Sequence, residues 1–292
     1  MPTKLSQINL TTSICILTVS APGVGATFFA GTAGDRSVIF TDLNGIVTLR
    51  NPVFLKETNN ADPYVEVILQ DEDPEKALAY KDMINKINFW FDPKNIDLFD
   101  TIIFDDADFL NASAMNHAVM VNADTDKSKT KSKIGKYSFI LPVIQDFGTQ
   151  MSLVEAFIQK LASLCRVYGK NLIFNAHEKM LFRKDPRTKE DILIKIAANF
   201  TGRAAPEAIS SYFDLVLRIT RVGKGDSFVK KFQCHPDDIV SAKDRYSVFK
   251  TYEEKLTFPI IQKRIKDRLP VVDVRETEDV TESPEKVKLT LL

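Results

Sequence analysis

The sequence predicts an α/β fold in which a mostly parallel sheet is flanked by helices on both faces. Short apolar runs that are typical of buried strands alternate with longer segments in which apolar residues recur at helical spacing. The first run, residues 14–19, leads into a glycine-rich turn, and a later run, residues 101–104, ends in two carboxylates. Because the carboxyl ends of parallel strands meet at one edge of such a sheet, we expect a ligand to bind beyond the first strand-to-helix turn.

The composition excludes a protein that binds nucleic acid through its bulk charge. The 292 residues carry 39 Lys and Arg against 39 Asp and Glu, so any such contact must come from a local patch. Three widely separated cysteines show no metal-ligand spacing, and Cys15 and Cys165 lie in apolar runs, which fits buried thiols in a reducing, cytoplasmic compartment. The first residues lack a secretory leader pattern and no apolar stretch approaches about 18 residues, so we expect no membrane contact.

A glycine-rich turn at residues 20–27 reads Ser-Ala-Pro-Gly-Val-Gly-Ala-Thr and precedes a helix that is predicted to start near Phe28. Such a strand, loop and helix N-terminus form the scaffold of a phosphate-binding loop, in which backbone N–H groups bind an anion. The pattern G-x-x-x-x-G-K-[ST] is broken at Ser20, in place of the first Gly, and at Ala26, in place of the Lys that pairs with the β- and γ-phosphates. The alternative is an ordinary strand-to-helix turn without a ligand. Thr27 is a candidate Mg²⁺ ligand. The candidate nucleotide-binding residues are Pro22, Gly23, Val24, Gly25, Ala26, Thr27 and Phe28.

Two carboxylates, Asp105 and Asp106, follow the apolar run 101–104. They have the Walker B form, in which the Asp positions Mg²⁺ directly or through water and a neighbouring acid polarises the attacking water. Asp105 is therefore a candidate metal ligand, and both are candidate catalytic residues. The alternative is turn chemistry, in which an Asp caps the next helix. The elements predicted between the two motifs are a strand at 37–42, a strand at 64–69, and a helix that is capped by Asp73 and ends near Phe91.

Two segments carry clustered basic residues. Residues 122–133 lack apolar anchors and are predicted to form a mobile loop, either a solvated insertion or a basic finger on nucleic-acid phosphates. Residues 179–199 are predicted to be loop-like in their first half. The basic residues concerned are Lys127, Lys129, Lys131 and Lys133 in the first segment, and Arg183, Lys184 and Arg187 in the second.

The later part of the chain adds one candidate catalytic residue. A helix is predicted at 152–168 and a strand at 170–178, whose polar end holds His177. This is where P-loop ATPases carry a γ-phosphate sensor, although a lone His at a strand end also fits a structural role. A hairpin is predicted from strands at 213–221 and 228–234. Residues 270–292 contain six acids against three bases and are predicted to be a disordered acidic tail, so that residues 1–269 form the nucleotide-binding domain.

The order of these pieces resembles the RecA-like P-loop ATPases, and most closely the small phage-encoded group that acts in single-strand annealing and recombination. The segments that carry the resemblance are residues 21–27, 38–42, 101–106, 168–178, 200–203, 213–218 and 242–245. Each motif is loose, and the specific part is the order of all seven.

The resemblance implies a RecA-like core that binds ATP with Mg²⁺ and forms a ring or filament of identical subunits on single-stranded DNA. It implies that Lys243 or Arg245 reaches the γ-phosphate of a neighbouring subunit. The two basic segments correspond to the DNA-facing loops, which makes their seven Lys and Arg residues candidate DNA contacts. The implied location is the cytoplasm of the host cell. The acidic tail is expected either to dock a single-strand-binding protein or another replication partner, or to compete for the basic segments.

The departures from the family pattern concern hydrolysis. Ala26 removes the catalytic Lys, and Asn44 stands where the family carries a Glu that activates water, with Asp42 or Asp106 as substitutes. Three explanations are open: a natural pseudo-ATPase, a Lys that enters the site from elsewhere, or an engineered Lys→Ala substitution, against which Asn44 argues. The sequence thus predicts weak or absent ATP hydrolysis. The alternatives are an inactive RecA-fold scaffold in a phage replication or virion assembly, and an active ATPase with a nonstandard site.

Overall fold

The computed structural model describes residues 13–268 apart from several short segments. The segments outside the description are residues 60, 72–75, 124–130, 135–136, 202–204 and 225–226. The predictions for Lys127, Lys129, the cap Asp73 and the tail 270–292 therefore lie outside the described residues.

Strands and helices alternate along most of the chain. The described strands are β1 (Cys15–Ser20), β2 (Ser37–Thr41), β3 (Tyr64–Val67), β4 (Thr101–Asp105), β5 (Lys131–Ile134), β6 (Tyr137–Ile140), β7 (Asn171–Lys184), β8 (Asp191–Ala198), β9 (Leu215–Lys224), β10 (Ser227–Gln233), β11 (Lys243–Asp244) and β12 (Tyr252–Glu254). The described α-helices are α1 (Ala26–Gly31), α2 (Leu43–Leu49), α3 (Pro52–Glu57), α4 (Ala79–Trp90), α5 (Ala107–Ala123), α6 (Ile144–Val167), α7 (Ala205–Ser211) and α8 (Phe258–Arg268).

Ten of the described strands form one mixed sheet in the order β12-β10-β9-β1-β7-β4-β2-β3, with β8 paired to β7 and β11 paired to β9. The six strands β9, β1, β7, β4, β2 and β3 are parallel. Strands β8, β10, β11 and β12 pair antiparallel. The predicted α/β fold with a mostly parallel sheet is confirmed, and the carboxyl ends of β1, β7, β4 and β2 lie next to one another.

The core has two layers because the central strands are buried on both faces, as their continuous apolar runs indicate. On one face, Phe104 of β4 stacks between Phe40 and Phe174, at centroid distances of 5.4 and 5.0 Å. Helices α4, α5 and α6 cover this face. On the other face, Ile16 and Ile103 belong to a second buried cluster with residues of α1, α3 and α8. Within the described residues, no helix is both long and apolar enough to cross a membrane.

A long hairpin replaces the loop predicted after His177. Strand β7 continues to Lys184 and pairs antiparallel with β8, with Phe182 opposite Leu193. On this part of β7 the apolar run 180–182 lies between charged pairs at 178–179 and 183–184, so the basic cluster concealed a short apolar strand segment. At the tip, the Asp185 carboxylate accepts hydrogen bonds from the backbone N–H groups of Arg187 and Thr188.

The other predicted loop, residues 122–133, is also structured where it is described. Its first two residues end α5, and Lys131 and Lys133 lie on β5, which pairs with β6. The prediction of a mobile loop is therefore wrong at these ends, because backbone pairing with β6 replaces the apolar anchors that the segment lacks. The hairpin predicted from the strands near residues 213 and 234 is present as β9 and β10.

Candidate functional site

The glycine-rich turn lies at the carboxyl edge of the sheet, between β1 and α1. Gly23 and Gly25 have φ of +75° and +110°, values that residues with a Cβ rarely adopt. No heavy atom of the described residues lies within 4 Å of a Cβ built on Gly23, so the turn is open on that side. The sequence thus places glycine where the backbone must turn and where a ligand can approach it.

Two adjoining cavities, of about 510 and 310 Å³, open at this edge. Thr27, Asp105, Asp106 and His177 line both of them. The predicted nucleotide-binding residues that line the smaller cavity are Pro22, Gly23, Gly25, Ala26, Thr27 and Phe28. The seventh, Val24, packs instead against the buried cluster that contains α1. The structure therefore brings the turn, both Walker B carboxylates and the candidate sensor together.

A chain of hydrogen bonds fixes Asp105. Its Oδ1 accepts hydrogen bonds from the Thr27 hydroxyl at 3.1 Å and from the Asn175 amide at 2.7 Å. The Thr18 hydroxyl donates to the Asn175 carbonyl oxygen at 2.5 Å and so sets the orientation of the amide. Burial raises the pKa of Asp105, although the hydrogen bonds from Asn175 and Thr27 oppose the shift. The peptide bond between Asp105 and Asp106 is cis.

These donors suit a divalent cation such as Mg²⁺. The Thr27 hydroxyl and the Asp105 carboxylate are hard oxygen ligands, which Mg²⁺ prefers. Both side chains that donate to Asp105 are neutral, so these hydrogen bonds do not neutralise the negative charge of the buried carboxylate. A bound cation would neutralise it. Thr27 and Asp105 therefore fit the metal that the sequence predicts for them.

His177 is held between two carboxylates. Its Nδ1 lies 2.7 Å from Oδ2 of Asp108 and its Nε2 lies 3.5 Å from Oδ2 of Asp106. The hydrogen bond to Asp108 raises the pKa of His177, and the same bond lowers the pKa of Asp108. Burial raises the pKa of Asp106 to about 6. The arrangement favours a protonated imidazole at the cavity wall, and the three side chains also offer one cation ligand each within 4.8 Å of one another.

The end of the second strand supplies two more polar side chains to the larger cavity, Asp42 and Asn44. The Asp42 carboxylate accepts a hydrogen bond from Gly45 N at 2.9 Å and caps α2. The Asn44 amide donates to Asp42 at 3.1 Å. An amide cannot take a proton from water, so Asn44 cannot act as the base, and the groups of this cavity that can are carboxylates such as Asp42 or Asp106 and the imidazole of His177.

Lys243 and Arg245 lie away from this site, at the opposite edge of the sheet. Lys243 of β11 pairs with Val216 of β9, and its amino group donates to the carbonyl oxygen of Phe213 at 2.7 Å. Arg245 donates to Asp214 at 2.9 Å. Both cations have partners within their own chain, and a contact with a neighbouring subunit stays a prediction.

The candidate DNA contacts fall into two places. Arg183 and Lys184 are exposed at the end of β7, and Arg187 is exposed in the turn that follows. Lys184 also forms an ion pair with Asp191 at 3.1 Å. Lys131 and Lys133 lie on β5, and the description does not extend to their side chains.

Sequence reasoning missed Asn175, Thr18 and Asp108. Asn175 and Thr18 are single polar residues inside apolar runs, a signal that a side chain is needed at that point of the strand. Asp108 follows the Walker B pair by two residues and lies in the first turn of α5. The register of β1, β7 and β4 brings Thr18 and Asn175 to Asp105, and the position of α5 brings Asp108 to His177.

Comparison with known proteins gives one family match. A family model described as an AAA domain matches residues 12–246. Among solved structures, the chain is similar to a KaiC-like protein from the hyperthermophilic archaeon Pyrococcus horikoshii, with 10% sequence identity, coverage of 75% of this chain and 76% of that chain, and a TM-score of 0.35. No curated protein matches the sequence. The residues matched by the family model include the glycine-rich turn, the Walker B carboxylates and His177.

Proposed function

This chain belongs to the AAA domain family, and from that membership we propose that it is a RecA-like P-loop protein that binds ATP with Mg²⁺. We further propose that it acts on single-stranded DNA in phage recombination, annealing or replication, as a ring or filament of identical subunits. Its hydrolysis of ATP is weak or absent.

The observation that carries the proposal is the contact between Thr27 and Asp105. These residues come from two motifs that are far apart in the chain, and their oxygens lie 3.1 Å apart at the wall of a cavity bounded by the glycine-rich turn. Bound Mg²⁺ neutralises charge on the β- and γ-phosphates. Thr27 and Asp105 hold the metal, and the backbone of the turn lies where it can approach the phosphates.

Slow hydrolysis follows from the residues that line the two cavities. Among the described lining residues there is no Lys or Arg, and Ala26 takes the position of the P-loop Lys. Positive side chains that stabilise charge in the transition state commonly contribute a hundredfold or more to the rate, so ATP is expected to be bound without rapid turnover. His177 and Asp106 can hold or move a proton but cannot replace that charge.

Support for the DNA-binding part comes from the hairpin of β7 and β8. Its tip carries Arg183, Lys184 and Arg187, and Phe182 is 55% exposed beside them. Basic side chains contact phosphates and an exposed aromatic ring stacks on bases, which is the usual combination in single-strand binding.

The test of the nucleotide site is calorimetric titration with ATP, with and without Mg²⁺. We expect the wild-type chain to bind ATP more tightly with Mg²⁺, and the isosteric variant Asp105→Asn to lose that difference. Ala26→Lys should bind more tightly than the wild type and hydrolyse ATP faster. Asp100→Asn, directly before the amino end of the same strand, is the matched control and should behave as the wild type.

A wild-type chain that binds neither ATP nor Mg²⁺-ATP at millimolar concentration would contradict this proposal. The result would favour the second candidate function, an inactive RecA-fold scaffold in a phage replication or virion assembly, which the absence of Lys and Arg among the described cavity-lining residues also supports.

A further inference from the structure

The side chain of Lys230 lies directly on the glycine-rich turn. A Cβ built on Gly25 would lie 2.9 Å from Cε and 3.2 Å from Nζ of Lys230. The Nζ also lies 4.8 Å from the centroid of the Phe28 ring, which lines the smaller cavity. The turn has Ala26 where a P-loop has Lys, but the ammonium of Lys230 lies beside Gly25.

The sheet explains how a residue so distant in sequence reaches the turn. Strand β9 runs parallel to β1, with Ile219 opposite Ser20, the last residue of β1 and the first of the turn. Strand β10 returns antiparallel to β9 and places Lys230 opposite Arg221. Strands β9 and β10 extend past the end of β1. The side chain of Lys230 on β10 therefore lies beside the turn that follows β1.

In this structure Lys230 forms an ion pair with Glu57 at the end of α3, with an Nζ–Oε2 distance of 2.8 Å. The Glu57 side chain is 47% exposed and the Lys230 side chain 23% exposed. A partly exposed pair of this kind is weak, because water competes for both groups. The lysine stem has four rotatable methylene groups, so the ammonium can exchange one carboxylate for a more highly charged anion nearby.

We propose that Lys230 supplies the cation that binds the β- and γ-phosphates of a bound nucleoside triphosphate, in place of the Lys that the P-loop lacks at Ala26, and that it serves binding rather than hydrolysis. Glu57 holds the ammonium beside the turn when no triphosphate is bound. This inference rests on the proposed function, since it names the residue with which the same site binds its phosphates. It accounts for a P-loop that retains its glycine geometry and its Thr27–Asp105 contact after losing its lysine.

A purely structural ion pair makes a different prediction. If Lys230 served only to join β10 to α3, removing either partner would have the same effect. If Lys230 binds phosphates, removing Lys230 weakens binding of the triphosphate, whereas removing the charge of Glu57 frees the lysine and leaves binding unchanged or tighter.

The experiment measures the dissociation constants of Mg²⁺-ATP and of adenosine for the full-length chain and four variants. Lys230→Met should bind Mg²⁺-ATP about ten- to a hundredfold more weakly, the loss expected for one hydrogen bond to a charged group, and should bind adenosine as the wild type does. Glu57→Gln should bind Mg²⁺-ATP as tightly as the wild type or more tightly. Lys231→Met, whose lysine lies over Tyr252, is the matched control and should change neither constant.

The fourth variant, Lys230→Met with Ala26→Lys, should recover the affinity for Mg²⁺-ATP, which separates a lost charge from a misfolded chain. A wild type that binds Mg²⁺-ATP, together with a Lys230→Met variant within twofold of it, would overturn the inference and leave the proposed function standing. Equal losses in Lys230→Met and Glu57→Gln would also overturn it. A wild type that binds no Mg²⁺-ATP would refute the proposed function itself and this inference with it.

Discussion

At the scale of single residues, one buried carboxylate organises the edge of the sheet opposite the candidate site. Asp214 is 4% exposed, and its Oδ2 accepts a hydrogen bond from the backbone N–H of Cys15 at 3.0 Å. Its Oδ1 accepts from Arg166 at 3.3 Å and from Arg245 at 2.9 Å. A buried negative charge needs such partners, so Arg245 has a structural reason to be where it is. The family resemblance assigns Arg245 to the γ-phosphate of a neighbouring subunit. Its position is also explained by its hydrogen bond to Asp214, which accepts from the backbone at the start of β1.

His117 predicts a measurable dependence of stability on pH. It is 4% exposed on α5, stacks on Tyr80 with a centroid distance of 5.2 Å, and its Nδ1 has no hydrogen-bond partner among the described residues. Burial lowers the pKa of His117 below its ordinary value of 6.5, with Lys81 acting in the same direction. Since the unfolded chain takes up this proton more readily than the folded one, stability is full above about pH 6.5 and falls as the pH decreases through the folded pKa.

The check is the melting temperature of the wild type and of His117→Gln between pH 8 and pH 5. Other titrating groups, including His177, are common to both proteins and cancel in the difference. We expect the wild type to lose stability relative to the variant as the pH falls. A difference that stays constant over this range would show that His117 is not held neutral by the fold.

The candidate site could be predicted from sequence only where its residues are close together in the chain. Thr27 and the two glycines are fixed by one turn, and Asp105 and Asp106 by the end of one strand, so local spacing was sufficient to identify them. The partners Asn175 and Asp108 depend on strand order and register, which no local pattern encodes. Lys230 has no sequence signal at all, because a single lysine in a hairpin is most often a solvated side chain.

At the scale of elements, the start of α4 is capped by Asp71, whereas the predicted cap is Asp73. The sequence predicted a helix capped by Asp73, but the helix begins at Ala79. The carboxylate of Asp71 accepts hydrogen bonds from the backbone N–H groups of Leu78 and Ala79, at 2.6 and 2.9 Å. It therefore satisfies donors that the first turn of a helix leaves without intrahelical partners.

Replacing this cap should lower stability by a predictable amount. Asp71→Ala removes the Oδ1 that accepts both hydrogen bonds and is expected to cost about 1 kcal/mol, which corresponds to a fall of about 2 °C in Tm for a chain of this size. Asp71→Asn keeps an acceptor oxygen and should lose less than half as much. Thermal unfolding of the two variants at the same pH decides the matter, and equal losses would indicate that the charge of Asp71, rather than its hydrogen bonds, stabilises α4.

The hairpin of β7 and β8 provides the element-scale test of DNA binding. If Arg183 and Arg187 each contact a phosphate, the double variant Arg183→Ala with Arg187→Ala should bind single-stranded DNA more weakly. The slope of the logarithm of the binding constant against the logarithm of salt concentration should become shallower by about 1.4, or about 0.7 for each lost contact. Fluorescence anisotropy with labelled DNA at several salt concentrations measures this slope.

The matched control removes two lysines from α8 at the other edge of the sheet. Lys263 and Lys266 line a separate cavity with Ile14 and Asn171, at the amino ends of β1 and β7. Lys263→Ala with Lys266→Ala removes the same charge and should leave the slope unchanged. If both double variants reduce the slope equally, the effect is one of net charge and the hairpin is not the contact surface.

At the scale of the whole molecule, the sequence predicted a mostly parallel sheet but not all of the strands that belong to it. The apolar runs correctly indicated a parallel core, since strands buried on both faces carry little polar sequence. The antiparallel additions β8 and β12 were not predicted, because their residues are half exposed and their pairing depends on partners elsewhere in the chain. Helix α8, from the far end of the chain, completes the buried layer that also contains α1 and α3. Local sequence patterns do not predict this packing.

This last contact shows that the folded unit must include α8. Phe258, Ile261 and Ile265 of α8 are each at most 3% exposed in the cluster that also contains Phe29 of α1. The backbone N–H of Phe258 donates to the Thr32 hydroxyl at 2.9 Å, directly after α1. Burying three such side chains contributes roughly 5–9 kcal/mol, at about 1.5–3 kcal/mol each, which is a large part of the net stability of a typical domain.

We therefore predict that residues 1–269 suffice for the fold and that the chain cannot end before α8. A chain of residues 1–269 should keep the Tm of the full length within about 1 °C, because the sequence predicts a disordered tail beyond it, and removing a segment without buried contacts rarely alters stability by more than about 0.5 kcal/mol. A chain of residues 1–257 should be unfolded or aggregated, and Ile261→Ala in the full-length chain should lower Tm without removing the helix, since it costs about 2–5 kcal/mol. Circular dichroism and thermal unfolding of the three proteins distinguish these cases. A 1–269 chain that is as unstable as Ile261→Ala would place residues beyond 269 inside the folded unit and move the predicted boundary towards the end of the chain.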